Sequence, residues 1–307
     1  MNINLGIIIV NFNSGSILNN CVNSIFRSDL NEINLTVVIV DNDSKDDSLN
    51  LDKVGDDRLI ILRNRENKGF GFACNQGAEL LKKSTHLLFL NPDTEVQENT
   101  FQESIKFLNK NSEVSILGTM HRNENGKIQI SCSNTPTPIR IFWDILGLSK
   151  VFPKIFTPAT LMTNFDHKSS RFVDQVMGAY MLMERSVFEK LNGFDTRFFV
   201  YYEDADFGLR SRKIGLKSYY NSDIEILHHG RGTTKGISHI ALFYNLRSRV
   251  QFIHKHYGYF WGIIIQILTF IVEPITRVLF NLIKNPTENR NTVKAFKMLY
   301  KYKFNNG

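Results

Sequence analysis

Cysteine is scarce in this chain of 307 residues. Only Cys21, Cys74 and Cys132 occur, far apart and without a CxxC pair. That excludes a disulfide frame and a cysteine zinc site, and it points to a reducing compartment. Met1 leads straight into an apolar run with no basic stretch before it, so no secretory leader is expected. Long apolar runs are also missing. The longest stretch without charge, YGYFWGIIIQILTFIV (257–272), has 16 residues, roughly 24 Å of helix against a hydrocarbon core of about 30 Å. No internal repeat or low-complexity tract occurs. The glycines of ENKGFGFACNQG (66–77) lack the third glycine of a dinucleotide fingerprint and follow the third strand-like run, so that class of cofactor site is excluded.

What remains is an ordinary globular composition, 42% hydrophobic and 22% charged, large enough for one sizeable α/β domain and an appendage. The formal net charge is +7, and residues 284–307 supply five of those charges through Lys284, Arg290, Lys294, Lys297, Lys301 and Lys303 against Glu288. A basic tail suits an anionic partner. Nucleic acid would require basic residues beside stacking aromatics, and Tyr300 and Tyr302 are a thin supply, so no nucleic-acid partner is expected. On a helical projection Trp261, Ile264, Ile265, Leu268, Val272, Ile275, Leu279 and Leu282 form one stripe. Gln266, Thr269, Glu273, Arg277 and Lys284 form another. Such a segment is expected to lie in a membrane interface, with a helix packed on its own domain as the alternative.

The first 120 residues alternate two patterns. Short β-branched runs at 5–12, 35–41, 58–63, 86–93 and 114–119 read as strands buried on both faces. Helical segments are expected near 15–28, 44–54, 71–83 and 97–110. This alternation predicts βαβ units and a mostly parallel sheet, with functional residues at the carboxyl ends of the strands. Residues 122–172 hold four of the seven prolines and read as a loop-rich insertion. A strand then a helix are expected over 173–191, a helix from the acidic cluster to about Ile214, and a further run to His229. The predicted organisation is a catalytic domain over 1–235, with a nucleotide-binding half (1–120) and an acceptor half (121–235), and a helical, membrane-interface region over 236–307.

Five places could carry chemistry. Asp93, directly after a buried strand in LNPDTE, could offer carboxylate oxygen to a hard divalent cation, or it could cap the next helix. Asp41, in VIVDNDS, could accept a ribose or base hydrogen bond, or simply shape a turn. Gly69 and Gly71 allow close approach of backbone to a ligand at a helix start, or a plain loop-to-helix turn. In HHGRGTTKG (228–236) His228 and His229 suit a metal beside a carboxylate, although a lone histidine at a strand end is usually structural. In FFVYYEDADFGLR (198–210) an apolar run, read as buried strand, leads into Glu203, Asp204 and Asp206. The acids suit a helix dipole, and Asp206 to Arg210 is an i,i+4 pair. The aromatics before them would desolvate the carboxylates and raise a pKa, as a general base requires.

Taken together these pieces resemble family 2 glycosyltransferases of the GT-A fold, within them the bacterial rhamnosyltransferase-like branch. The resemblance covers roughly residues 3–256 and is most specific over 177–220. There Gly-Ala, Gly-Phe-Asp, Phe-Phe and Glu-Asp-x-Asp follow in order, after Val-Asn-x-Asn, Val-Asp-Asn-x-Ser, Asn-x-Gly-Phe-Gly and Asn-Pro-Asp upstream. The roles below are what it implies. Asn11, Asn13, Asp41, Asn67, Gly69, Gly71, Asn75, Asn91 and Arg247 would bind the donor, and Gly178 and Ala179 would lie on the acceptor side. Asp93 would hold Mg²⁺ or Mn²⁺ with His228 as a further ligand and His229 as its rival. Asn91 stands where the motif's first acid is expected. Asp204 would be the catalytic base, with Glu203 and Asp206 orienting it or the acceptor. The implied reaction is inverting transfer of L-rhamnose from dTDP-L-rhamnose to a glycan or lipid-linked oligosaccharide of a surface polysaccharide. It would run in the cytoplasm, on the inner face of the cell membrane. The alternatives are a UDP-sugar donor (galactofuranosyl, glucosyl or galactosyl transfer) and a glycoside hydrolase. The hydrolase would need neither Asp41, Asp93 nor a metal.

Overall fold

The structure is a computed structural model and describes residues 3–230 and 238–302. In chain order the elements are β1 (Ile3–Asn11), α1 (Ile17–Arg27), β2 (Ile33–Asp41), β3 (Leu59–Arg63), α2 (Phe70–Leu80), β4 (His86–Leu90), β5 (Thr94–Val96), α3 (Thr100–Lys110) and β6 (Ile116–Arg122). Next come β7 (Ile128–Gln129), β8 (Cys132–Ser133), α4 (Pro138–Ile145), α5 (Leu148–Val151), β9 (Arg171–Val173), β10 (Gln175–Val176), β11 (Tyr180–Glu184) and α6 (Arg185–Lys190). The last are α7 (Glu203–Lys213), β12 (Ser218–His228), α8 (Ser238–Lys284) and α9 (Glu288–Lys301).

These form two compact units: Met1–Ser133 with Phe165–Thr196 and Glu203–Thr233, and Asn134–Asn164 with Arg197–Tyr202 and Thr234–Gly307. The domain boundary expected at 235 lies outside the described residues.

The first unit is built on one sheet of order β3-β2-β1-β4-β11-β6-β12-β5, with β7 beside β6 and β9 beside β12. β1, β2, β3 and β4 run parallel, β11 runs antiparallel between β4 and β6, and β12 runs parallel to β6. The runs read as doubly buried strands do bury both faces. Along β1, Ile7 and Ile9 join one core with Leu18, Val22 and Phe101 of α1 and α3. Ile8 and Val10 join the other with Ala73, Cys74 and Phe207 of α2 and α7. β3 is the exception: it closes an edge and Ile60 stays exposed. The register pairs Asn11 with Asp41, so the polar strand ends align at one edge.

Three expectations are corrected. Residues 44–54 form turns, not a helix, because short polar side chains take the backbone donors a helix would need. Asp46 Oδ1 accepts from Ser48 N at 3.2 Å, Asp41 Oδ2 from Ser44 N at 3.2 Å and Asn19 Oδ1 from Asp52 N at 3.0 Å. The loop-rich insertion contains α4, started by Thr137 as N-cap and Pro138 at its first turn, and α5. The run Phe198–Tyr202 is not a strand: it is bent, and Tyr201 and Tyr202 both sit in the left-handed region, at φ 65° and 68°.

In the second unit those aromatics find their partners. Phe199 stacks on Tyr244 at 4.5 Å, Tyr202 meets Phe252 at 5.5 Å, and Ser248 Oγ donates to Val200 O at 2.9 Å. α8 breaks at Gly258, whose φ of 83° and ψ of 176° are non-helical. Thr269 and Glu273 of the polar stripe read from the sequence are buried. Buried Arg249 donates to Thr269 and Glu273, and Arg277 Nε donates to the same Glu273 at 2.8 Å. Of the apolar stripe, Trp261, Ile275, Leu279 and Leu282 are exposed and Ile265 is buried; Ile267 and Ile271, off that stripe, are exposed as well. Among the described residues α8 is long and apolar enough to cross a membrane.

Candidate active site

At the edge shared by β1 and β2, buried Asn11 donates through Nδ2 to Asp41 Oδ1 at 2.7 Å and to Ser48 Oγ at 2.8 Å. Asn13, at φ 53°, accepts from Lys45 N at 2.7 Å and its own N–H donates to Ser44 Oγ at 2.9 Å. This network fixes the Asp41 carboxylate. Asp41 lines a cavity of about 350 Å³ with Asp43, Ser44, Asp46, Asp47, Arg63 and Asn64, large enough for a nucleoside and rich in acceptors for hydroxyl and ring N–H donors.

Asn67 closes the next turn, its Oδ1 accepting from Gly69 N at 2.9 Å. Gly69 precedes α2 at φ 95° and ψ 170°, a conformation open to glycine alone. At Gly71 a Cβ would come within 3.1 Å of Phe194 and 3.8 Å of Glu203, so the absence of a side chain brings the start of α2 onto the acidic motif. Asn75 is turned away from the edge. It donates to Phe194 O at 2.8 Å and accepts from Phe194 N at 2.9 Å, clamping α2 to the Gly-Phe-Asp turn rather than offering its amide to a ligand.

After β4, Asn91 N donates to Ala179 O at 3.1 Å, and the turn presents Asp93, which is buried. β5 pairs with the end of β12, placing His228 beside Thr94. His228 Nε2 stands 3.4 Å from Asp93 Oδ1. Its other nitrogen, Nδ1, stands 2.8 Å from Gln129 Oε1 on β7. The His121 ring, buried and held neutral by burial with a pKa of about 3, packs edge-on against His228 at 5.4 Å. His229 points elsewhere. It bridges Glu95 at 2.9 Å and Glu124 at 2.8 Å; burial pushes its pKa down, but the two carboxylates outweigh that and raise it. His228, not His229, therefore faces Asp93. Among the described residues no group of three or more His, Cys, Asp or Glu side chains is arranged to hold a metal ion.

The acidic motif opens α7. Glu203 is buried, its Oε2 lacks a hydrogen-bond partner, and burial followed by the charges of Asp204 and Asp206 pushes its pKa up to about 8. Asp204 is half-buried, and burial raises its pKa against hydrogen bonds from the backbone of Ala205 and Gly178. Gly178 thus touches Asp204, and Ala179 the turn that carries Asp93. Asp206 is fully buried and accepts from Arg210 Nε at 2.7 Å. Arg210 in turn donates to Leu191 O, and to Gly193 O at 2.9 Å. The i,i+4 pair is thus a clamp on the turn before the motif.

Arg247 belongs to the second unit, where its guanidinium lies over the rings of Tyr302 at 4.5 Å and Tyr244 at 5.9 Å. The glycines, threonines and cations at 231–236 lie outside the described residues. Sequence reasoning missed Gln129 and His121. A two-residue strand carries no periodic signal, and only the β12, β6, β7 pairing brings them to His228.

Comparison with known proteins gives the same outline. The sequence model described as "Glycosyl transferase family 2" matches residues 6–191. An N-acetylglucosaminyl-diphospho-decaprenol L-rhamnosyltransferase of Mycobacterium tuberculosis is 25% identical over 243 residues, 74% of this chain and 77% of that protein. The rhamnosyltransferase WbbL of Escherichia coli is 24% identical over 61% of this chain and 70% of its own length. The low-salt glycan biosynthesis hexosyltransferase Agl10 of Haloferax volcanii is 26% identical over 73% and 67%. Among solved structures, the mannosyltransferase PcManGT of Pyrobaculum calidifontis, bound to GDP-Man and Mn²⁺, superposes with a TM-score of 0.56 over 96% of this chain and 86% of that one, at 14% identity. GalNAc-T7 with UDP, GalNAc and Mn²⁺ gives 0.55 over 73% of this chain and 42% of that one, at 15% identity. At those identities the structural likeness speaks for the fold, a mixed α/β sheet flanked by helices.

Proposed function

The chain belongs to glycosyl transferase family 2, and on that premise we propose that it moves L-rhamnose from dTDP-L-rhamnose to a lipid-linked glycan with inversion at the anomeric carbon. Rhamnose is favoured because the Mycobacterium and Escherichia relatives carry that activity in their names. The nucleoside would occupy the cavity beside Asp41. The diphosphate would lie toward Asp93 and His228.

One observation carries the reading: His228 Nε2 faces Asp93 Oδ1 while Gln129 takes the other ring nitrogen. When Nδ1–H donates to Gln129 Oε1, the neutral ring turns its Nε2 lone pair toward Asp93. In that tautomer a cation held between the lone pair and the carboxylate oxygen, 3.4 Å apart, would relieve their repulsion. Two ligands each about 2.1 Å from one ion stand about 3.0–3.4 Å apart, so Asp93 and His228 fit Mg²⁺ or Mn²⁺, with the donor's phosphates completing the shell. When bound there the ion supplies positive charge to the leaving diphosphate.

The chain's own groups do the rest. Asp204 takes the acceptor's hydroxyl proton; the new bond forms from that oxygen to the anomeric carbon while the bond to the diphosphate breaks on the opposite face. Glu203, kept neutral by burial, leaves Asp204 as the ionised member of the pair. Asp206 and Arg210 hold the turn that positions both. The helical unit would rest on the inner leaflet of the cell membrane through 257–307, supported by the exposed apolar stripe of α8.

The test is Asp204→Asn assayed with dTDP-rhamnose and UDP-sugars, in Mn²⁺ and in chelator. Donor binding should survive while transfer falls by about 10²–10⁴-fold. Retained transfer removes Asp204 as base. Turnover of a UDP-sugar in preference to dTDP-rhamnose replaces the donor and leaves the family intact.

A further inference from the structure

The surface of the second unit differs from that of the first. Of the 21 large hydrophobic residues exposed among those described, sixteen belong to the second unit, which holds about a third of the chain. Its charge is also opposite. Fifteen Lys and Arg against three acids give it +12, which leaves −5 on the first unit out of the total of +7. None of the three acids is exposed. Glu273 is buried between Arg249 and Arg277; Asp144 is half-buried and accepts from Ala159 N at 3.1 Å and from Ser149; Glu288 is half-buried. Every fully exposed charge on the described part of this unit is therefore a cation.

The insertion at 134–164 shares this character. α5 and the turn after it expose Val151 (55%), Phe152 (52%) and Ile155 (73%) beside exposed Lys150 and Lys154. The segment is fastened to α8. Thr276 Oγ1 donates to Ile145 O at 2.6 Å, and Lys150 Nζ lies 4.9 Å from the Phe280 ring. The turns of α8 that hold it carry exposed Ile275 and Leu279, continuing a stripe from Ile271 to Leu282 at spacings of four, four and three, one helical face. A protein in water rarely leaves so many large apolar side chains bare on neighbouring segments.

We infer that the 134–164 insertion is a second membrane-contacting element. In this inference, which rests on the membrane reading of 257–307, Phe152 and Ile155 enter the headgroup region of an anionic bilayer alongside α8. An anionic lipid surface is the occupant that matches both properties: aliphatic and aromatic side chains to bury, and cations with no exposed carboxylate among them.

Co-sedimentation of the full chain with phosphatidylglycerol-containing vesicles, and with phosphatidylcholine vesicles in parallel, tests it. The wild type should bind the anionic vesicles. Phe152→Glu/Ile155→Glu should lower the partition coefficient about tenfold, and Ile271→Glu/Ile275→Glu should do the same. If the first pair binds like wild type while the second loses binding, the insertion is not a contact and the inference falls, though the membrane reading stands. If the wild type binds no anionic vesicle, the membrane reading itself falls. An Ile155→Cys variant carrying an environment-sensitive dye needs no disruptive charge: a blue shift on adding vesicles is expected, and none would overturn the inference. A dimer that becomes monomer in the Glu pairs, with vesicle binding unchanged, would make this face an interface between copies instead.

Discussion

Gln129→Leu tests the metal reading at a residue to which no donor or acceptor contact is assigned. Gln129 Oε1 and His228 Nδ1 form a hydrogen bond of 2.8 Å in a half-buried setting. In the free protein that bond contributes about 1 kcal/mol net. When a cation binds at Nε2 the ring becomes more acidic and the same bond becomes charge-assisted, about 1.5–3 kcal/mol. The difference, on the order of 1–1.5 kcal/mol, is the contribution of Gln129 to metal affinity, and it corresponds to a roughly tenfold weaker Kd in Gln129→Leu. Loss of the tautomer preference acts in the same direction.

Mn²⁺ titration followed by electron paramagnetic resonance, with dTDP present, reads this without turnover. Gln129→Glu supplies a carboxylate to the same nitrogen and should keep or tighten Mn²⁺ binding, as carboxylate–histidine–metal arrangements do. In activity assays the Leu variant should recover kcat at high Mn²⁺. A Kd within twofold of wild type for Gln129→Leu would refute the argument. So would a Gln129→Glu variant as weak as Leu, because it would show that space and not the acceptor matters.

Two further outcomes follow from the acidic motif. Glu203 titrates near 8 in the fold and near 4.5 when unfolded, so below pH 4.5 both states hold its proton; above that the unfolded state ionises first and the fold loses about 1.4 kcal/mol per pH unit until pH 8. Glu203→Gln should therefore raise Tm relative to wild type by an amount that grows from pH 5 to pH 8 and vanishes at pH 4; a pH-independent difference would show that Glu203 is not held neutral. Arg210→Ala removes the ion pair to buried Asp206 and leaves Leu191 O and Gly193 O without this donor, and should cost about 2–4 kcal/mol in urea unfolding, with Arg210→Lys restoring little because one ammonium cannot span three acceptors. A loss below 1 kcal/mol would show the clamp to be slack.

The sheet and its polar edge were legible because burial on both faces demands uninterrupted β-branched runs, and LGIIIVNF and LTVVIVD have no other comfortable structure. The polar residues that end those runs sit side by side by register alone, which is why Asn11 and Asp41 could be placed without coordinates. Where side chains compete locally the pattern misleads: the Asp and Ser residues of 44–54 mimic a polar helix face, yet they take its donors. The choice between His228 and His229 was not legible, since one residue along a strand reverses the face, and the face depends on where β5 pairs. Gln129 was invisible for a similar reason, two strands removed from the histidine it holds. The aromatic run before the acids was read as shielding them, and its hydrophobicity has a second use. Phe199 and Tyr202 pack on α8 in the second unit, whereas the elevated pKa of Glu203 arises from its own burial beside Asp204 and Asp206. Two tyrosines in the left-handed region turn the chain where one role ends and the other begins. Such backbone strain is kept only where the surroundings compensate, as the packing of Tyr202 against Phe252 does here.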